Sequence, residues 1–492
     1  MMKSKKILFR ADGNSSVGLG HLYRLFSLVE MLKTEYDFYF LTKEDSELSV
    51  IPSSYPLELI PKNISYEMEP DWIRNRYDVE TFIIIADGYQ FGSEYQKNIK
   101  QEGFKLVYID DLAGWEMFAD AVINHSPGVT ENDYTGQNYT SYALGTKFAL
   151  LRPKFLDLAK VNRNIEKIDS VFICFGGADP DNLTLKSVKG VLDIHQIKKI
   201  NIVLGGAYKS KEIYSIQKLD KRINIFQNLS EDDMVKVMLD SHLAIVPSST
   251  ILFEVCSVKM PVLSGYFVDN QRGIYSALKE KNIIISGDNF SFYSKNDFKL
   301  NVQKIIDLNK YSQYTNNQKK HFDGKSKLRL IGLINRLNLY FRKANKDDVY
   351  TIYNWSNDPL VRKNSYDSNP ILIENHKEWY DYKIISKDSL MLIGMINSKK
   401  VALVRYDIKE DYSVVGILID KKFRGQGIAP EFLKVSAEIY FCEFSKPILA
   451  YIKKDNVASK ISFEKANYKY YKEEIVKGSD SYIYKLEKNE FR

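Results

Sequence analysis

From its start to about residue 335 the chain alternates short apolar runs with stretches whose apolar residues recur at helical spacing. That alternation points to parallel sheets of the doubly wound type. The first run is Ile7-Leu8-Phe9, followed by a loop and by Leu22, Leu25, Phe26, Leu28, Val29 and Leu32 on one helical stripe. Further strands are predicted over residues 38–41, 82–86, 106–109 and 121–123. Several end in polar residues: Asp87, then Asp110 and Asp111, then Asn124 and His125. Ligands of open α/β sheets sit beyond the carboxyl ends of strands, so these residues are expected to line one cleft. A helix cap is the other reading of each Asp.

Pro153 and the charged stretch 162–169 read as a crossing into a second lobe. There a strand over 170–175 runs into Gly176-Gly177-Ala178-Asp179-Pro180-Asp181-Asn182. A strand over 200–204 ends in Gly205-Gly206, and one over 243–246 ends in Pro247-Ser248-Ser249-Thr250 before a helix carrying Glu254. Turns rich in glycine and hydroxyls at helix starts offer backbone N–H groups to a diphosphate. A lone Gly-Gly is most often just a turn, so the weight rests on several turns at one cleft edge.

The stretch Gly-Leu-Gly-His-Leu-Tyr-Arg at 18–24 places His21 where a glycine-rich turn opens a helix, with Gly18, Gly20 and Arg24 beside it. Unpaired N–H groups and the helix dipole favour an anion there, and glycines let a ligand approach. The competing reading is a histidine that only caps or packs.

Composition narrows the classes. At 492 residues and 44% apolar content the chain has room for about three domains. The net charge of +7, from 70 basic and 63 acidic residues, is scattered, which argues against nucleic acid as a partner. The 34 tyrosines and 26 phenylalanines fall in apolar periodic runs and are expected in cores. Cys174, Cys256 and Cys442 are far apart, with no CxxC pair and no histidine nearby, which fits a reducing cytoplasm and no metal site. The basic start MMKSKK meets only three apolar residues before Arg10, so neither a signal peptide nor a membrane span is expected.

The blocks FRADGNSSVGLGHLYR, IDDL, YALGTKFALLRPKF, FICFGGADPDN, SSTILFEVC, DNQ and FDGKSKLR, in this order, resemble the UDP-2,4-diacetamido-2,4,6-trideoxy-β-L-altropyranose hydrolases of pseudaminic acid biosynthesis. The resemblance implies two Rossmann-like lobes of the GT-B type, with the nucleotide mainly on the second, and release of UDP by water attacking the anomeric carbon with inversion. It implies that His21 activates the water, that Gly176, Gly177, Ser248, Ser249 and Thr250 hold the diphosphate, and that Glu254 accepts from the ribose. Asn270 and Gln271 are expected to face the sugar, with Gly18, Gly20, Arg24, Asp12, Asp87, Tyr89 and Asp110 as further substrate contacts. A single base can suffice because UDP leaves readily, unlike the carboxylic acid and carboxylate pair of ordinary glycoside hydrolysis. Two departures from that family are visible: Ser248-Ser249-Thr250 follows Pro247 where Gly-Gly-Ser-Thr is usual, and Tyr23 and Phe26 are bulkier than is common.

Beyond residue 340 the composition restarts with an acidic NKDDV helix start. A strand over 414–418 leads into DKKFRGQGIAPEFL, in which Arg424, Gly427 and Ala429 fit R-x-x-G-x-A. With NVASKISFEKANY from Asn456, this segment resembles the GCN5-related N-acetyltransferases. A loop of small residues entering a helix exposes N–H groups to a diphosphate. The resemblance implies acetyl-CoA on Arg424, Gly425, Gln426, Gly427, Ile428, Ala429 and Asn456. NWSNDPLVRKNSY and ENHKEWY look like the branch that acetylates amino sugars and protein N-termini, with His376 and Trp379 bordering the acceptor. The plainer alternative makes Trp355 and Trp379 core and His376 a surface group. Phe463 stands where many relatives have a proton-donating tyrosine, which leaves Tyr468, Tyr470 or water. The domains expected are 1–160, 161–338 and 339–492, joined in a bifunctional enzyme that acetylates a UDP-4-amino sugar and then hydrolyses the product. The rivals are a glycosyltransferase with the same lobes and a sugar-nucleotide binding protein without turnover.

Overall fold

The computed structural model describes residues 5–14, 18–177 and 179–490. The basic start at 1–4, residues 15–17 before the His21 turn, and Ala178 lie outside the described residues. Contacts divide the described chain into two compact units, Lys6–Leu330 and a second that begins at Ile331.

The first unit holds two all-parallel sheets. One comprises β1 (Lys6–Ala11), β2 (Phe38–Lys43), β3 (Leu57–Ile60), β4 (Phe82–Asp87), β5 (Lys105–Ile109), β6 (Ala121–Asn124) and β7 (Ser141–Leu144), in the order β3-β2-β1-β4-β5-β6-β7. The other comprises β8 (Ser170–Ile173), β9 (Lys199–Leu204), β10 (Ile223–Gln227), β11 (Leu243–Pro247), β12 (Val262–Tyr266) and β13 (Ile285–Asn289), in the order β10-β9-β8-β11-β12-β13. Both are Rossmann-like. Central strands are covered on both faces, which is why they read as unbroken apolar runs: Ile83, Ile84, Ile85 and Ala86 are all fully buried. In each sheet the strand order reverses at one place, between β1 and β4 and between β8 and β11. Loops leaving such neighbours diverge and open a crevice.

The second unit is a mixed sheet of β14 (Leu339–Lys343), β15 (Ser389–Ile396), β16 (Lys399–Ile408), β17 (Ser413–Ile419), β18 (Ile448–Lys453), β19 (Lys469–Val476) and β20 (Ser479–Leu486), ordered β14-β15-β16-β17-β18-β20-β19. The helices Ala429–Glu443 and Val457–Lys465 cover one face, where Phe432, Leu433 and Phe463 meet Val404, Tyr406, Ala450 and Ile452. The helices Val349–Ser356 and Ile373–Ile385 cover the other, where Ile352, Trp355 and Tyr380 meet Met391, Ile393 and Leu403. The one parallel pair, β17 with β18, is joined only through Ser413–Ile448 and Val414–Leu449. Beyond Val414 the two strands part, leaving a notch in the sheet.

Among the described residues no helix is long and apolar enough to cross a membrane.

Candidate active site

His21 lies in the first turn of the helix Gly20–Leu32, which follows β1, and Asp87 ends the neighbouring β4. The strand reversal therefore brings residues 66 apart in sequence together: His21 Nδ1 is 2.7 Å from Asp87 Oδ1. Arg24, on the same helix face, donates to both Asp87 oxygens at 2.7 and 2.6 Å and to Asp111 Oδ2 at 2.7 Å. The Tyr89 ring stands edge-on to the imidazole, centroids 4.6 Å apart, and its hydroxyl donates to Asp111 at 3.3 Å. Burial pushes the Asp87 carboxyl up, but Arg24 and His21 outweigh it and hold the group below the usual carboxylate range. In a neutral imidazole the contact with the ionised Asp87 puts the proton on Nδ1 and leaves Nε2 with the lone pair. Among the described residues the helix has no side-chain cap, and its first turn carries no acidic residue. Gly18, in the turn, has φ of +81°.

Two other strand-end carboxylates expected at the substrate are committed to the fold. Asp12 is buried and accepts from Arg10 at 2.5 and 2.8 Å, the Lys43 N–H at 2.8 Å and the Tyr66 hydroxyl at 3.0 Å. Arg10 also donates to Glu69 at 2.6 and 2.9 Å. Asp110 Oδ2 accepts from the Tyr134 hydroxyl at 2.7 Å and the Ala113 N–H at 2.8 Å, fixing the loop after β5. Burial works to raise the Asp12 pKa, but Arg10 and the other donors outweigh it and bring it to about 2 from 3.8. A depressed folded pKa adds stability above the unfolded value, on the order of 2 kcal/mol here, which is lost as pH falls through the folded one. Urea unfolding of Asp12→Asn and the parent should therefore differ at neutral pH and converge between about pH 4 and about pH 2.

In the second lobe the turns after β8 and β11 face the other reversal. A Cβ on Gly205 would lie 2.2 and 2.3 Å from the carbonyl oxygens of Gly176 and Gly177, so two glycine turns stack without side chains between them. Behind Gly176-Gly177, the helix Leu183–Leu192 is closed by the chain itself: Asp179 accepts the N–H groups of Leu183 and Thr184, both at 2.8 Å. The helix Thr250–Ser257 has neither a side-chain cap nor an acidic residue in its first turn, and Thr250 is exposed. A helix start of this kind favours an anion. Ser248 is buried and bonded to Ser264 at 3.0 Å, and Ser249 is half-buried. Glu254 meets Arg152 through both oxygens, at 2.7 and 2.8 Å; burial pushes its carboxyl up against the pull of Arg152. Asn270 is exposed, whereas buried Gln271 accepts the Phe267 N–H at 3.0 Å.

In the second unit the loop from Asp420 to Ile428 leaves β17 at the notch. Gly425 and Gly427 have φ of +78° and +69°, which turns the backbone outward. The Arg424 side chain braces this loop, donating to the Ile419 carbonyl at 2.9 Å and to Asp358 at 2.8 Å. Buried Gln426 accepts from Asn335 at 2.8 Å. The loop thus presents backbone, and the helix from Ala429 starts without a side-chain cap. Asn456 caps the helix Val457–Lys465 through the Ser459 N–H, 3.2 Å away.

Beside β16 and β17 lies a cavity of about 380 Å³ that His376 and Trp379 both line. His376 is buried and packs against Tyr353 and Trp379, with Nε2 3.2 Å from the Val349 carbonyl; burial lowers its pKa, so the imidazole is neutral. Trp355 is core, and its indole N–H donates to Asp420 at 3.1 Å. Tyr468 is buried against Phe463 in the core, and Tyr470 is on the edge strand β19, beyond β20.

Sequence reasoning places Asp111 at the cleft without giving it a partner, and it missed Arg152, Arg362 and Arg405. Arg362 and Arg405 line the cavity together, yet they lie on a short helix and on β16 with no spacing that links them.

Residues 338–469 match the acetyltransferase (GNAT) domain family. Ahead of that domain the chain is homologous to the UDP-2,4-diacetamido-2,4,6-trideoxy-beta-L-altropyranose hydrolase of Campylobacter jejuni, 28% identical over 281 residues, which cover 56% of this chain and 97% of that protein. A protein of Methanocaldococcus jannaschii described as uncharacterized is 26% identical over 452 residues, 85% of this chain and 87% of its own length. Among solved structures, the spermidine N-acetyltransferase of Vibrio cholerae with CoA and spermine is similar at 14% identity and a TM-score of 0.30, covering 32% of this chain and 98% of that one.

Proposed function

We propose that the chain carries out two successive reactions on a UDP-linked amino sugar. Its acetyltransferase domain moves an acetyl group from acetyl-CoA to the 4-amino group, and its first unit then hydrolyses UDP from the diacetamido sugar. The observation that carries the second step is the His21–Asp87 pair held by Arg24 at the strand reversal. Asp87 keeps the proton on Nδ1, so Nε2 takes a proton from water as that water attacks the anomeric carbon. Attack opposite the departing UDP inverts that carbon. Negative charge builds on the leaving phosphate, for which the open start of the Thr250–Ser257 helix is a preorganised partner.

For the first step, the N–H groups between Arg424 and Ala429 fit the diphosphate of acetyl-CoA, and the β17–β18 notch fits its pantetheine arm. The neutral amine attacks the thioester carbonyl, the C–S bond breaks, and the thiolate takes a proton from water while the new amide loses one. The acceptor cavity carries Arg362 and Arg405 and no Asp or Glu. Arg405 pairs with Asp407 at 2.9 Å, whereas among the described residues Arg362 donates to carbonyls and a hydroxyl and meets no carboxylate. Such a cavity repels a polycationic amine and favours an amine that also carries phosphate.

Incubation of the full chain with a UDP-4-amino-4,6-dideoxy sugar and acetyl-CoA, followed by mass spectrometry, should yield the acetylated sugar nucleotide, then free sugar and UDP. Acetylation without any free sugar would remove the hydrolase half, and appearance of the sugar only on an added acceptor would make the first unit a glycosyltransferase. Gly416 lines the cavity, and a Cβ there meets open space. Gly416→Phe should therefore fold, fill the cavity and lower acetyl transfer by about tenfold or more while UDP release is unchanged, as separate assays of the two half-reactions would register.

A further inference from the structure

A second histidine stands along the same row of strand ends. His125 directly follows β6, and its side chain is more than nine-tenths buried. Its Nδ1 accepts the Leu150 N–H at 3.2 Å, which fixes the proton on Nε2. Burial, with Arg24 adding to it, lowers the pKa to about 3, so the ring stays neutral at working pH: it is a permanent donor that neither gives up nor takes a proton. Among the described residues nothing accepts from Nε2. The ring meets Phe253 edge-on, centroids 5.0 Å apart. Phe253 belongs to the first turn of the Thr250–Ser257 helix, whose N-terminus no side chain caps. The imidazole, whose N–H has no partner among the described residues, thus packs against the first turn of a helix that starts without a side-chain cap, and both groups are donors.

We infer that His125 Nε2 and the first turn of the Thr250–Ser257 helix together receive the terminal phosphate of a bound nucleoside diphosphate, an assignment that rests on the sugar-nucleotide reading of this unit. The carboxylates that act on the ring, Asp87 and Asp111, are themselves held by Arg24, so the two free donors beside Phe253 suit an anion. Because the imidazole is neutral, it adds no charge that the substrate ground state would satisfy in advance, and its bond strengthens as charge builds on the departing phosphate. His125 is then a substrate-binding residue, distinct from the base His21.

The test is titration calorimetry of the full chain with UDP and with UMP. His125→Phe keeps a ring against Phe253 and removes the donor; His125→Gln keeps an N–H near the same place. The expected result is UDP affinity about ten- to hundredfold weaker in His125→Phe, UMP affinity within about twofold of the parent, and most of the UDP affinity restored in His125→Gln. Unchanged UDP affinity in His125→Phe would overturn the assignment, as would equal weakening of UDP and UMP, the mark of a merely structural role. A parent chain that binds neither nucleotide would overturn the sugar-nucleotide reading and this assignment with it. A parent that binds UDP but releases none from the sugar nucleotide would overturn only the hydrolase reading, and the UDP–UMP difference would still decide the role of His125.

Discussion

His21→Asn should lower the rate of UDP release by about 10²–10⁴-fold while leaving UDP affinity within about threefold of the parent. The asparagine amide can still donate to Asp87 from nearly the position of Nδ1, so the buried Asp87–Arg24 pair and the helix start keep their arrangement. What disappears is Nε2, the only part of the side chain that faces the reacting water. Initial rates with calorimetry of UDP binding separate the two effects. Equal rates in the two proteins would return His21 to a packing role, and parallel loss of rate and of UDP affinity would mean that it binds the nucleotide.

Asp87→Asn has the second large effect, and it acts on both activity and stability. Asp87 accepts one bond from His21 and two from Arg24. An asparagine has one acceptor oxygen and one NH2 group. If the oxygen faces Arg24, the NH2 group donates to Nδ1, the imidazole proton moves to Nε2, and the base is gone. If the oxygen faces His21, the NH2 group opposes the guanidinium. Either arrangement should cost about 10²–10⁴ in kcat, and the broken buried pair about 3–5 kcal/mol of unfolding free energy. Arg24→Gln in the same background should recover part of the stability, because the buried guanidinium that has lost Asp87 and keeps Asp111 is gone, without recovering the rate. Urea unfolding and steady-state kinetics on the four proteins of that cycle read both quantities. A stable Asp87→Asn with parental kcat would show that the carboxylate neither orients His21 nor pairs usefully with Arg24.

Much of this arrangement is legible in the sequence, for identifiable reasons. Strands covered on both faces leave unbroken apolar runs, so residues 82–86 predict β4 nearly to its ends. β3 (Leu-Glu-Leu-Ile) and β13 (Ile-Ser-Gly-Asp-Asn) are short and half polar, and β19 is mostly exposed, so their sequences lack that signature. His21 and Asp87 are each legible as polar residues at strand ends. Their pairing is not, because it requires that β1 and β4 be neighbours although two strands intervene in the chain. Asp12, Asp87, Asp110 and Asp179 look alike in sequence, each in a polar turn after an apolar run. Only the packing separates Asp87 beside the base from Asp12 on Arg10 and Asp179 on its own helix. Arg362 illustrates the same limit in the second unit. Its charge is visible, but its lack of a carboxylate partner is a property of the cavity and not of the local sequence.

The central claim is that water held by His21 attacks the sugar carbon. It is tested most directly by incubating the full chain with UDP-2,4-diacetamido-2,4,6-trideoxy sugar in H2¹⁸O, with no acceptor and with mass spectrometry of both products. Attack at the anomeric carbon predicts ¹⁸O in the free sugar and none in UDP. Label in the UDP, or no free sugar at all, would contradict it.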